Sequence, residues 1–258
     1  LYEGIGGFLT DDVGHVVAIK YPPLDFSGFV FTDQEATHIA SLTELTLLAL
    51  PMMSNEMTNE GVKSIATLPK LEYLSMSNTE NVDSVGFGYL SSLRTLKGLG
   101  LGMSPINDDG LQHIGKLTQL EFLDLTGAKI GDRGVSFLQN LRALQSLALV
   151  STRVTDQSMS VIGSLPALQQ LDIRGCNVTD RGLAALGKSR SLKRLVAFPT
   201  ANGGGKITDA GLMQLKTVTT LEYVNVAGNQ VTPAGASAFQ SALPNCEVEL
   251  TNTDEVDE

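Results

Sequence analysis

A short pattern of leucines recurs along the chain, and its period constrains the fold more than any other feature. The pattern L-x-x-L-x-L, with Met, Ile, Val or Ala at some of its later positions, begins at Leu45, Leu71, Leu96, Leu120, Leu144, Leu168, Leu192 and Leu221. A weaker copy precedes these at Val16, and a truncated copy closes the series at Val248. The copies from Leu45 to Leu221 are 24 to 29 residues apart, a spacing typical of solenoids whose units contact only their neighbours.

A second motif follows each leucine pattern and predicts the start of a helix. It reads V-T-D-R-G-L at residues 178–183 and I-T-D-A-G-L at residues 207–212. Thr208 is a helix-capping residue type, Asp209 suits the positive end of the helix dipole, and the Gly allows close approach to a neighbour. The flanking apolar residues have the spacing of a hydrophobic staple, and Pro233 suits a first helical position. Looser copies begin at Phe31, Met57, Val82, Ile106, Ile130, Val154 and Val231.

Each unit is therefore predicted to be a short strand, a turn, a helix and a return. No single unit can bury its apolar face alone, so the units must stack. Stacking places the strands in one parallel sheet on the concave side and the helices on the convex side. Strand–helix–strand connections are right-handed by strong preference, so we expect a right-handed α/β solenoid.

The two motifs together resemble the cysteine-containing subtype of leucine-rich repeats, and the resemblance covers about residues 16–250. This subtype occurs in F-box substrate receptors and in many bacterial repeat proteins. The position that names the subtype holds a cysteine only at Cys176, and the Thr-rich version found here is more similar to the bacterial members. The resemblance implies a right-handed leucine-rich-repeat solenoid that binds other macromolecules.

The chain divides into a cap, an array and a tail. Residues 1–15 are predicted to begin an N-terminal capping hairpin, with strands at residues 8–10 and 15–21. Residues 16–250 form the repeat array, and the acidic residues 251–258 form a solvated tail. Two longer repeats carry insertions, at residues 22–28 and 198–206, and the second is predicted to be a mobile loop.

Composition and charge limit the classes of molecule that the chain is expected to bind. Hydrophobic residues make up 42% of the chain, aromatic residues 5%, and Trp is absent, so the core is predicted to be aliphatic. The net charge of −10 argues against nucleic acid as the partner, and no apolar run is long enough for membrane insertion. We expect a monomer that binds protein, and the sequence leaves its compartment open.

The sequence offers no catalytic, metal or cofactor site. His15, His38 and His113 lie in different repeats, without partners at metal-ligand spacing. Cys176 and Cys246 lie three repeats apart, too far to form a disulfide, which predicts two free thiols. Two aspartates, at positions 124 and 172, share a column about 10 Å apart, at or beyond the upper end for a glycosidase pair. We therefore expect no enzyme activity, no metal and no cofactor.

Alternation along the strands identifies candidate binding residues on the concave face. Gly98 and Gly100, with Gly102, leave one strand bare, and Tyr73 and Phe122 flank it on strands about 10 Å apart. This arrangement predicts a notch that accepts an apolar or aromatic side chain of a partner. The alternative is that the glycines only relieve crowding. The remaining candidate contact residues are Asp124, Gln170, Asp172, Arg174, Arg194, Phe198, Tyr223 and Asn225, in which exposed Tyr, Arg and Phe lie beside polar groups.

The leading functional hypothesis is a non-catalytic protein–protein interaction scaffold. One alternative is the substrate-recognition part of an F-box-type ubiquitin-ligase receptor, which an F-box upstream of Leu1 would support. Another is a binder of carbohydrate or of a cell-envelope polymer, for which the aromatic residues would be platforms. A fourth hypothesis, an enzyme, is disfavoured because the sequence shows no catalytic constellation. A purely structural spacer is a further alternative, because repeats are stable without a ligand.

Overall fold

The computed structural model describes residues 7–20, 30–50, 56–199 and 206–251. The chain divides into two compact units, Leu1–Lys129 and Ile130–Glu258, called here the N-terminal and the C-terminal unit. Both predicted insertions lie wholly or largely outside the described residues, and so does the acidic tail after Thr251.

The N-terminal unit contains six strands and four α-helices within its described residues. The strands are β1 (Gly7–Thr10), β2 (Val16–Lys20), β3 (Leu47–Ala49), β4 (Tyr73–Ser75), β5 (Gly98–Gly100) and β6 (Phe122–Asp124). The helices are α1 (Asp33–Ile39), α2 (Asn59–Ile65), α3 (Ser84–Tyr89) and α4 (Asp108–Ile114). Strands β1 and β2 form the predicted antiparallel hairpin, and β2 to β6 pair in parallel in chain order.

The C-terminal unit continues the alternation of strand and helix. Its strands are β7 (Ser146–Ala148), β8 (Gln170–Asp172), β9 (Arg194–Val196), β10 (Tyr223–Asn225) and β11 (Glu247–Glu249). Its helices are α5 (Asp132–Ser136), α6 (Met159–Ile162), α7 (Asp180–Leu186), α8 (Asp209–Gln214) and α9 (Pro233–Ala242). All five strands pair in parallel in chain order, and the architecture in each unit is that of an α/β solenoid with an open sheet.

The core is built from the leucine positions of the repeat. In the N-terminal unit Leu48, Leu74, Leu99 and Leu123 occupy the middle of successive strands, and each is at most 2% exposed. Each buried leucine contributes roughly 1.5–3 kcal/mol relative to an exposed one. The core is largely aliphatic, as predicted, although Phe31, Phe87 and Phe239 are also fully buried.

The predicted helix starts are confirmed. Thr208 is the N-cap of α8 and its side chain accepts a hydrogen bond from the amide of Ala210. Pro233 is the first residue of α9, where its missing N–H costs nothing. Similar Thr caps precede α1, α2 and α7.

In several repeats the aspartate of the motif also joins one helix start to the next. The carboxylate of Asp180 accepts hydrogen bonds from the amide and hydroxyl of Thr208, at 2.8 and 2.7 Å. Asp209 does the same for Thr232, at 2.7 and 2.8 Å. Further bridges of this kind are Asp33 to Thr58, Asp132 to Thr155 and Asp156 to Thr179. We call this series of contacts the Asp–Thr bridges.

The bridges explain why a glycine recurs at the same place in the motif. A Cβ added at Gly235 would lie 2.0 Å from Oδ1 of Asp209, and one at Gly211 would lie 2.0 Å from Oδ1 of Asp180. The glycine therefore leaves room for the carboxylate of the preceding repeat. Where Ser158 replaces this glycine, its hydroxyl donates to Asp132 at 2.5 Å, and the helix begins with a short 3-10 turn.

Candidate partner-binding surfaces

Strand alternation gives each sheet a face that points away from the helices, called here its open face. In β4, Leu74 is buried in the core, whereas Tyr73 is exposed. In β6, Leu123 is buried in the same way and Phe122 is exposed. Residues on either side of each core leucine therefore form the open face, as the sequence predicts.

The predicted notch residues of the N-terminal unit lie side by side. Tyr73 pairs with Gly98, which pairs with Phe122, so the three form one row across adjacent strands. Tyr73 is 44% exposed and Phe122 is 43% exposed, so both rings contact solvent. Gly100 and Asp124 belong to the next row, and all five residues line a depression of about 300 Å³. We call these five residues the notch.

The notch is narrower than the sequence alone suggests. A Cβ added at Gly98 would lie 2.4 Å from Cδ1 of Tyr73, so the tyrosine ring already occupies the space above that glycine. A Cβ at Gly100 would have its nearest contact, at 3.2 Å, with the hydroxyl of Ser75. Neither glycine therefore leaves an open space directly above it, and the notch is a shallow depression beside the two exposed aromatic rings.

Asp124 sets the charge of one end of the notch. Its Oδ1 accepts a hydrogen bond from the backbone amide of Thr126 at 2.9 Å. The contact orients the carboxylate along the strand end, and Oδ2 lies near Gly102. The notch therefore combines an apolar centre with an oriented negative charge at its rim.

The open face of the C-terminal unit carries two arginines stacked on aromatic rings. The guanidinium of Arg174 lies over the ring of Phe198, with 5.4 Å from Cζ to the ring centroid. Its Nε donates to both carboxylate oxygens of Asp172, at 3.0 and 2.9 Å, and a terminal nitrogen lies 2.8 Å from Oδ2. Arginine, carboxylate and ring form one assembly within the chain.

The second stack joins Arg194 to Tyr223, with 3.8 Å from the guanidinium carbon to the ring centroid. The Tyr223 hydroxyl donates to Glu249, and the amide of Asn225 donates to that hydroxyl and to Glu249 at 3.3 Å. Burial, and then the bond to Glu249, raise the pKa of Tyr223, so its hydroxyl stays a donor. The hydroxyl of Tyr223 is therefore held by Glu249 and Asn225, and the guanidinium of Arg194 packs on the face of the ring.

The structure brings most of the predicted C-terminal residues together. Gln170, Asp172, Arg194, Tyr223 and Asn225 line one depression of about 230 Å³. Phe198 instead lines a separate depression at the strand ends. Glu249 is not among the site residues predicted from the sequence, and it fixes the Tyr223 ring through its hydroxyl. Its place in the same row as Asn225 was the available signal.

The two cysteine side chains are the remaining groups that could react. Cys176 and Cys246 are both free, as predicted. Burial raises the pKa of the Cys176 thiol, and burial followed by the charge of Glu247 raises the pKa of Cys246 to about 11.

Within the described ranges, no group of three or more His, Cys, Asp or Glu side chains could hold a metal ion. Among the helices described, none has the length and apolar character needed to cross a membrane.

Comparisons with known proteins agree on the fold. The family model described as "Leucine Rich repeat" matches residues 43–66, 116–138, 165–187 and 219–239. No curated protein matches this sequence.

Solved structures of bacterial proteins share the fold. Internalin C2 of Listeria monocytogenes is 24% identical with a TM-score of 0.60, and the match covers 92% of this chain and 81% of that protein. A leucine-rich repeat protein of Leptospira interrogans is 19% identical with a TM-score of 0.53, covering 83% and 62%. Internalin F of Listeria monocytogenes is 18% identical with a TM-score of 0.51, covering 84% and 71%. The family model matches four of the repeats, and these structures share the overall architecture, so the chain has the leucine-rich repeat fold.

Proposed function

We propose that this protein is a non-catalytic scaffold that binds a protein partner on its open sheet face, and that the notch accepts an apolar or aromatic side chain of that partner. The observation that carries the proposal is the exposure of Tyr73 and Phe122 in one row, on either side of a glycine strand. The repeat family and its bacterial structural relatives support a scaffold role in general.

Physical chemistry favours an interface at this place. Two half-exposed aromatic rings beside a depression offer a large apolar area that a partner can remove from water. Tyrosine and other aromatic residues are prominent among the side chains that dominate binding energy. Asp124 adds a charge that orients the partner at the rim.

The test compares binding of wild type with that of the Tyr73→Ala/Phe122→Ala variant. Immobilised protein is incubated with native lysate, retained proteins are identified by mass spectrometry, and the affinity of a purified partner is then measured by calorimetry. The matched control is Phe8→Ala/Val85→Ala, because Phe8 and Val85 are also exposed apolar residues but lie off the notch. Circular dichroism confirms that each variant is folded.

The notch variant is expected to weaken partner binding by at least about 2 kcal/mol, the scale of an interface hot spot, while the control retains it. A partner held equally by both variants would place the interface elsewhere. Removal of either aromatic ring without effect on affinity would refute the notch.

A further inference from the structure

The guanidinium of Arg194 is held in place but has no carboxylate partner within the described parts of the chain. Its one contact there is the stack on Tyr223, at 3.8 Å. The side chain is exposed, so its donors face solvent above the open face of the C-terminal unit. A guanidinium has five N–H donors in a rigid plane, and its geometry matches a carboxylate.

A neighbouring pair shows what a completed site of this type contains. Arg174 also stacks on an aromatic ring, that of Phe198, and it additionally binds the carboxylate of Asp172 through three nitrogen–oxygen contacts of 2.8 to 3.0 Å. Arg194 has the ring but lacks the carboxylate. The two arrangements lie on the same open face and differ by that one group.

The Tyr223 ring on which Arg194 stacks, called here the platform, is held in position by other residues of the chain. Glu249 accepts from the Tyr223 hydroxyl, and Asn225, only 4% exposed, bonds to both. Fixing the ring reduces the conformational freedom that the arginine would lose on binding. Gln170 and Ser146 continue the row beside Arg194 and add polar side chains at the same level.

We propose that Arg194 binds the carboxylate of an acidic side chain in the partner, so that the C-terminal open face recognises a single Asp or Glu within a peptide segment. This inference rests on the proposed scaffold function but concerns a different surface from the notch. A carboxylate is favoured over a phosphate group because a dianion would be repelled more strongly by a chain of net charge −10. The carboxylate of Asp172 is already bound by Arg174 and does not compete.

The probe is a phage-displayed library of random linear peptides, selected on immobilised wild-type protein. Enriched peptides are synthesised in two forms, one with Asp and Glu and one with the corresponding Asn and Gln, and their affinities are measured. The variant is Arg194→Gln, and the matched control is Lys193→Gln. The control removes the same charge from the neighbouring position, where the lysine pairs with Glu222.

The expected result is enrichment of peptides that share one Asp or Glu, whose affinity falls about tenfold or more with Arg194→Gln, and equally when that acid is replaced by its amide. Lys193→Gln should change the affinity less than twofold. Tyr223→Leu, which removes the platform, should weaken the same peptides, whereas Tyr223→Phe should keep most of the affinity because the ring remains.

Selection on the Tyr73→Ala/Phe122→Ala variant separates this inference from the proposed function. Acidic peptides that still bind this variant and are lost with Arg194→Gln support the carboxylate site independently of the notch. Peptides that depend on the notch and are indifferent to Arg194→Gln overturn the carboxylate site and leave the proposed function standing. Enrichment without acidic preference, or no enrichment, also overturns the carboxylate site.

Discussion

The Asp–Thr bridge between Asp209 and Thr232 predicts an unusual result when Gly235 is replaced by Ala. The added Cβ would lie 2.0 Å from Oδ1 and 2.1 Å from Cγ of Asp209, far inside van der Waals contact. Ser158 occupies the equivalent position beside Asp132 and the bridge there is kept, because the serine hydroxyl donates to the carboxylate and the helix begins with a 3-10 turn. Alanine has no such donor, so we expect the Asp209 carboxylate to move away and to lose its hydrogen bonds of 2.7 and 2.8 Å to Thr232. Two hydrogen bonds to a charged group contribute together about 3 kcal/mol at the low end of their range.

The substitution also has a favourable part, because Ala is about 1 kcal/mol better than Gly inside a helix. Gly235→Ala should therefore destabilise the protein by about 2 kcal/mol, and Asp209→Ala by about 3 kcal/mol. Once the aspartate is absent, Gly235→Ala no longer causes a collision and keeps only its helix benefit. The double variant should thus be about 1 kcal/mol more stable than Asp209→Ala alone. The effect of Gly235→Ala on stability is therefore destabilising when Asp209 is present and stabilising when it is absent.

The free energies come from urea unfolding followed by circular dichroism. Hydrogen exchange of the α9 amides is measured in parallel, because a terminal repeat can open separately from the rest. Gly88→Ala is the matched control, since a Cβ at Gly88 would lie 3.6 Å from its nearest atoms, in ordinary contact. The control should show the helix benefit alone. Additive effects of Asp209→Ala and Gly235→Ala would refute the reasoning.

Three further predictions follow from individual contacts. The Cys246 thiol, with its pKa raised to about 11, should be alkylated at pH 8 roughly 200-fold more slowly in the folded protein than in urea, and comparable rates would contradict its burial. Burial acts to raise the pKa of Asp132, but hydrogen bonds from Ser158 and Thr155 outweigh it and leave the pKa below its usual value. Its contribution to stability should therefore be complete above about pH 4 and be lost as the pH falls through the folded pKa, so Asp132→Asn should flatten the acid limb of the unfolding curve. Gly98→Ala should displace the exposed Tyr73 ring, at a cost of about 1 kcal/mol in the stability of the fold. The displacement should appear in NMR spectra as a large change in the chemical shifts of the Tyr73 ring protons. Unchanged ring resonances would count against the observed packing.

The sequence predicts those parts of the fold that depend on neighbouring residues in the chain. The leucine spacing predicts the strands and the core, because alternation along a strand decides which side chains are buried. The Thr–Asp–x–Gly motif predicts the caps, since a cap forms within one helical turn. The free thiols of Cys176 and Cys246 follow from repeat spacing alone.

Features that depend on side-chain direction between repeats could not be predicted in this way. The motif aspartate was assigned to the dipole of its own helix, yet Asp209 also binds Thr232 of the next repeat. Gly98 was expected to be bare, but the Tyr73 ring leans over it. The row containing Arg194 and Tyr223 follows from register, whereas the stack itself depends on rotamers fixed by Glu249.

The Asp–Thr bridges have a consequence for how such a chain changes its length. A repeat that contains both motif residues offers an acceptor to the unit after it and a donor to the unit before it, as the repeat around Thr208 and Asp209 does. Duplicating or deleting one intact repeat therefore leaves equivalent junctions on both sides of the change. Loss of a partial repeat would instead leave a carboxylate or a helix amide unmatched. Recombination in whole-repeat steps can thus lengthen or shorten the open sheet face while the junctions between units stay the same.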